Sequence, residues 1–123
     1  MAETSFLALA GRILMGLLFV VIGIRLLMAR RPVAGLLATK KIPLPLFVAV
    51  SGGAIEIALG AAAIAGFAPR VTFLAMALFV IAATAMVHDF WTLSGQARAQ
   101  EINHVLVHGL VVGGLLVMAA YPW

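Results

Sequence analysis

Residues 44–68 read LPLFVAVSGGAIEIALGAAAIAGFA, and Glu56 is the one charged side chain in the run. About 20 apolar residues suffice for a helix to cross ~30 Å of hydrocarbon, so the run is long enough to span a bilayer. A carboxylate at that depth costs on the order of 2.5 kcal/mol or more unless it is paired, protonated or hydrated. Glu56 is therefore the first candidate functional residue. A partner is expected in another apolar run, and Arg12 lies in one.

The composition extends this conclusion to the whole chain. It is 65% hydrophobic and 10% charged, with a mean hydropathy of +1.21. A soluble domain is nearer half apolar and a quarter charged, so the class is integral membrane protein and the bilayer is its first partner. The 123 residues are used up by one bundle, which predicts a single domain. The net charge of +4 comes from few basic residues, most of them at span ends where lipid phosphates would meet them. That pattern does not fit nucleic-acid binding. Cysteine is absent, which excludes disulfides and thiolate metal sites. The N-terminal stretch has no basic n-region and its apolar run is too long for a secretory signal, so no cleavage is expected.

Four spans are predicted, at residues 6–28, 44–65, 71–90 and 102–121, giving an all-α, antiparallel four-helix membrane bundle. Pro32 suits the first turn of a short interfacial helix over residues 32–40, and Pro43 and Pro45 open the second span. Residues 66–70, Gly-Phe-Ala-Pro-Arg, form a tight turn. Arg30, Arg31, Lys40, Lys41 and Arg98 fall in the first and third connections and Arg70 alone in the second. The positive-inside rule then puts the first and third connections in the cytoplasm and both termini outside. Arg30, Arg31, Lys40 and Lys41 are expected to meet lipid headgroups.

At ~1.5 Å per residue, Arg12 lies about 10 Å and Glu56 about 15 Å below the outer surface on neighbouring helices. Glu56 stands between Gly52 and Gly60 at helical spacing, and Gly16 and Gly23 share the stripe of Arg12. Small residues permit close helix approach, so a buried Arg12–Glu56 ion pair is expected. It would act as a clamp, a ligand contact or a proton site. Arg25 points away from Arg12 and is expected to snorkel to the interface.

A second polar layer lies near the predicted cytoplasmic end: His88 and Asp89 close the third span, and Asn103, His104 and His108 open the fourth. His104 and His108 share a face, as do Thr84 and His88. Gly109 and Gly113 form a GxxxG pair beside His108. Three uses of this layer stay open. It can be a hydrogen-bonded polar cap. It can be a site for a polar headgroup such as a quinone carbonyl. As the weakest option, His88, His104 and His108 can hold a metal, or His88 and His108 the axial positions of a haem. The three serines sit beside no histidine, which leaves nucleophilic catalysis without support.

The order and spacing of these residues resemble the DoxX family of small bacterial membrane proteins. Gly11-Arg12, Leu18-Phe19, Gly23 and a basic residue mark the first span. Ile42-Pro43 precedes the second, which carries Gly52-Gly53, Glu56 and Gly60. His88-Asp89-Phe90-Trp91 ends the third, and Asn103 and Gly113-Gly114 lie in the fourth. The likeness is expected along the whole chain. One departure is Arg25, where such proteins often have lysine. The resemblance implies a multi-pass protein of the bacterial inner membrane. Some members are small subunits of quinone-linked redox systems, such as a thiosulfate:quinone oxidoreductase, and many have no assigned activity. Expected from it is an accessory subunit rather than a catalyst on its own, possessing quinone as its candidate ligand and other membrane or soluble redox subunits, or further copies of itself, as partners. A small-solute or proton permeability protein using Glu56 and a purely structural membrane partner are the competing functions.

Overall fold

The computed structural model describes residues 2–123. Five helices follow one another: α1 Ala2–Met28, α2 Arg30–Thr39, α3 Pro45–Ala65, α4 Pro69–Val87 and α5 Gly95–Ala120. A single 3-10 turn, Phe90–Thr92, sits between α4 and α5. Helices α1, α3, α4 and α5 are each long and apolar enough to cross a membrane, which makes the chain a multi-pass bundle in a bilayer.

Local chemistry explains the boundaries. Pro45 and Pro69 occupy the first position of α3 and α4, where proline's missing N–H is no loss. Gly66 takes a left-handed conformation (φ 73°) after α3. The Phe67 N–H donates to the Ala62 carbonyl at 2.9 Å and the Gly66 N–H to the Ala63 carbonyl at 3.2 Å, a Schellman ending. The two transmembrane helices are thus joined by the tight turn that composition predicts. The short helix α2 starts at Arg30, with Pro32 in its first turn, and buries Leu37 against α3. α4 stops at Val87 instead of running to residue 90, because the His88 backbone leaves the helical region (ψ 64°). α5 starts at Gly95, seven residues before the apolar run. Gln96, Arg98 and Gln100 are good helix formers, so the helix extends beyond its hydrophobic part.

The closest packing joins α1 to α3. A Cβ on Gly60 would lie 2.5 Å from the Gly16 carbonyl oxygen, and one on Gly23 would lie 2.9 Å from the Gly53 oxygen. The backbones therefore touch at two points, seven residues apart on each helix. Gly53, and not Gly52, is the contact: a Cβ on Gly52 meets only a Leu26 methyl at 3.8 Å. The apolar core (Phe19, Ala63, Phe73, Met76, Ala77, Leu115 and Ala119) fills the half of the bundle nearest the α3–α4 turn. The opposite half holds the histidines, the Lys40–Asp89 pair and the cavities lined by His88, His108 and Glu56.

Candidate functional site

The expected Arg12–Glu56 ion pair is not formed. With Gly16 opposite Gly60 and Gly23 opposite Gly53, Glu56 lies level with Val20 and Arg12 level with Ile64. Eight residues of helix, about 12 Å, separate the two levels. Measuring depth from the edges of the apolar runs places Arg12 too deep: the glycine contacts set it level with Ile64, beside the end of α3 at Ala65. The Arg12 guanidinium instead packs against Gly66, 3.0 Å from where its Cβ would be, and stands 5.1 Å from the centre of the Trp123 ring. Trp123 is held by its Nε1–H, which donates to the Met118 carbonyl at 2.7 Å, and by stacking on Phe73 at 5.9 Å. The buried Arg12 Nε has no hydrogen-bond partner among the described residues.

Glu56 is 7% exposed. It lines a cavity of about 250 Å³ together with Phe19, Ile22, Phe79 and His108. Among the described residues it takes part in neither the Lys40–Asp89 ion pair nor the His88–Glu101 contact.

The second polar layer comes together at the expected level, with a different division of labour. His88 and His108 both line a cavity of about 330 Å³ on the α4–α5 face, with Thr84, Phe90, Trp91 and Gly109. The His88 Nδ1 bonds the Glu101 carboxylate. The Thr84 hydroxyl lies 2.9 Å from the His108 Nδ1 and donates to the Val80 carbonyl at 2.6 Å. The His104 ring stacks on His88, 4.9 Å between centres and 9° from parallel. His88 and His108 meet edge to face at 5.0 Å, in direct contact, which leaves no space for a porphyrin plane between them. Among the described residues no three His, Cys, Asp or Glu side chains converge to hold a metal ion.

Asp89 and Asn103 stand apart from this cavity. Asp89 pairs with Lys40 and accepts from the Thr92 hydroxyl at 3.0 Å, tying the first connection to the third. Lys40 is thus engaged inside the protein rather than freely facing headgroups. Asn103 is exposed, as are Arg25, Arg31 and Lys41, and Arg30 caps the Leu27 carbonyl at 2.9 Å. Glu101 was not foreseen as a member. Its spacing is the available signal: Glu101, His104 and His108 fall at i, i+3 and i+7, on one helical face.

The family model DoxX matches residues 7–89. The chain belongs to the DoxX family. The match takes in α1 to α4, with Arg12, Glu56, His88 and Asp89. It stops before α5, so Glu101, His104 and His108 lie outside it and the likeness covers less than the whole chain expected. No curated protein and no solved structure gives a significant match to this DoxX chain.

Proposed function

We propose that this chain is a non-catalytic subunit of a membrane redox system in the bacterial inner membrane, and that the cavity beside His88 and His108 takes a quinone headgroup. The single observation that carries this reading is the composition of the 330 Å³ cavity. Its walls are mostly apolar (Ile81, Ala85, Val105, Val112), it has two aromatic side chains (Phe90, Trp91), and its polar groups are Thr84 and two imidazoles. Small-molecule sites have this balance, many apolar contacts for affinity and a few polar groups for orientation. Ile81 and Trp91 are exposed on the face that a bilayer would cover, so a lipid-soluble molecule can enter sideways. The redox-subunit role known for some DoxX proteins supports the same reading. The basic residues of the first and third connections support a cytoplasmic position for this end of the bundle, with both termini outside.

The test uses purified full-length chain in lipid nanodiscs and a benzoquinone with a ten-carbon tail. His108→Ala and Gly109→Phe are expected to weaken binding; a Cβ on Gly109 meets nothing within 4 Å, so the larger side chain has room to enter the cavity without disturbing the fold. Unchanged binding in both variants, or none by the wild type, refutes the proposal.

A second reading, proton or small-solute passage, is favoured by one observation: the Glu56 cavity shares His108 with the lateral cavity, and Leu26, Phe79 and Ala83 with a third cavity of about 220 Å³ under α2. Proton flux into liposomes that is the same for wild type and Glu56→Gln removes it.

A further inference from the structure

The hydrogen bonds around His108 fix which chemical form of a ring ligand the lateral cavity accepts. Thr84 has one hydroxyl proton, and it goes to the Val80 carbonyl at 2.6 Å, the i−4 bond that threonine makes within helices. The Thr84 oxygen therefore faces His108 with a lone pair only. The atom it faces is Nδ1, at 2.9 Å, so Nδ1 carries the proton and donates. A neutral imidazole has one N–H, which leaves Nε2 of His108 as an acceptor. The alternative, Thr84 donating to His108, would set two bare oxygens of Thr84 and Val80 against each other at 2.6 Å.

We propose that the cavity selects the dihydroxy, reduced form of a ring ligand over its carbonyl form, through a ring O–H donated to the His108 Nε2. The inference rests on the function proposed above and adds the redox state of the ligand. A quinone carbonyl brings only lone pairs to an Nε2 that also offers a lone pair. The hydroquinone hydroxyl supplies the missing proton. The other imidazole does not reverse this. The Nδ1 of His88 faces the Glu101 carboxylate, a group that can only accept, so a neutral His88 spends its one N–H there and its Nε2 is an acceptor too; His88 is also held flat against His104. Binding, with no electron transfer, is the event proposed.

Leaving an acceptor facing another acceptor in the cavity is expected to lower affinity about tenfold. The experiment measures Kd for the ten-carbon-tailed benzoquinone and for its hydroquinone, the latter under argon. It follows the fluorescence of Trp91, which lines the cavity. The pH is 8, above the ordinary imidazole value of about 6.5, so that neutral tautomers are compared. Wild type is expected to bind the hydroquinone about tenfold tighter. Thr84→Val removes the acceptor for Nδ1–H and lets His108 take either tautomer, so the preference should fall to near unity. Equal binding of the two forms by wild type, or a preference that survives Thr84→Val, overturns the inference and leaves the quinone site standing. Binding of neither form removes the site itself. If Thr84→Val does not fold, the 15N spectrum of His108 in wild type decides: a protonated Nδ1 is expected, and a protonated Nε2 overturns the inference.

Discussion

Replacing Gly60 with alanine tests the register on which every assignment above depends. The added Cβ would lie 2.5 Å from the Gly16 carbonyl oxygen and 2.9 Å from the Val20 nitrogen, where ordinary contact starts at 3.4 Å. Both atoms are backbone, so no rotamer change relieves the clash and α1 must move off α3 by about 0.9 Å at that point. Overpacking of this kind costs about 1–3 kcal/mol, and a rigid backbone neighbour puts it at the upper end. Alanine returns up to about 1 kcal/mol through better helix propensity. The net expectation for Gly60→Ala is a loss of ~2 kcal/mol. Gly52→Ala is the control, because its Cβ meets only the Leu26 methyl at 3.8 Å. It should be neutral or stabilise by about 0.5–1 kcal/mol. Unfolding by SDS titration in mixed micelles measures both. Equal effects from the two substitutions would refute the register, and with it the separation of Arg12 from Glu56.

Three further predictions address the charged groups. Glu56→Gln should leave stability unchanged or raise it in the same SDS titration, because no ion pair is broken; a residue clamped to Arg12 would instead lose about 3–5 kcal/mol. Arg12→Lys should cost on the order of 1 kcal/mol by weakening the cation–π contact with Trp123, and the loss should vanish in a Trp123→Leu background, as a double-mutant cycle would read out. Asp89→Lys should make the first connection more accessible to trypsin, and the charge swap with Lys40→Asp should restore protection; accessibility that the swap does not reverse would remove the Lys40–Asp89 tie.

What composition and periodicity can reveal is the kind of element, and here they revealed it for the membrane-spanning helices. Unbroken apolar runs specify spanning helices, and Pro45, Gly66 and Pro69 mark their ends through backbone chemistry that acts locally. The polar layer was legible too, since His88 and His108 reach one level from any reasonable span boundary. Axial register was not legible. An apolar run says that a helix crosses lipid, yet it leaves several ångströms of freedom along its axis, and the Arg12–Glu56 pairing depended on those ångströms. The choice of Gly53 over Gly52 turns on the same point: both are glycine, and only the rotation of α3 against α1 decides which one touches. The pairings of Glu101 and Lys40 were not legible because their partners, His88 and Asp89, are 13 and 49 residues away in sequence. Of these, only Glu101 left a trace in local spacing.

The two long seams of the bundle are held by different physics, and this bears on where a ligand can act. In lipid, burying apolar side chains contributes little to helix association, so close backbone packing and interhelical hydrogen bonds must do it. The α1–α3 seam has the first, through Gly16, Gly23, Gly53 and Gly60. The α4–α5 seam lacks it near the polar end: Cβ atoms on Gly109 and Gly113 would meet nothing within 4 Å. That stretch is joined instead by Thr84 to His108 and His88 to Glu101. Such side-chain bonds average only about 0.6 kcal/mol each in membrane proteins. The lateral cavity therefore opens at the weaker seam, and the groups that hold the seam are the ones that would contact a ligand. A ligand that bonds His108 without displacing Thr84 adds a contact across α4 and α5, whereas one that competes for Nδ1 loosens them. The acceptor geometry at Nε2 favours the first kind, which is why the redox state of the ligand and the stability of the seam should change together.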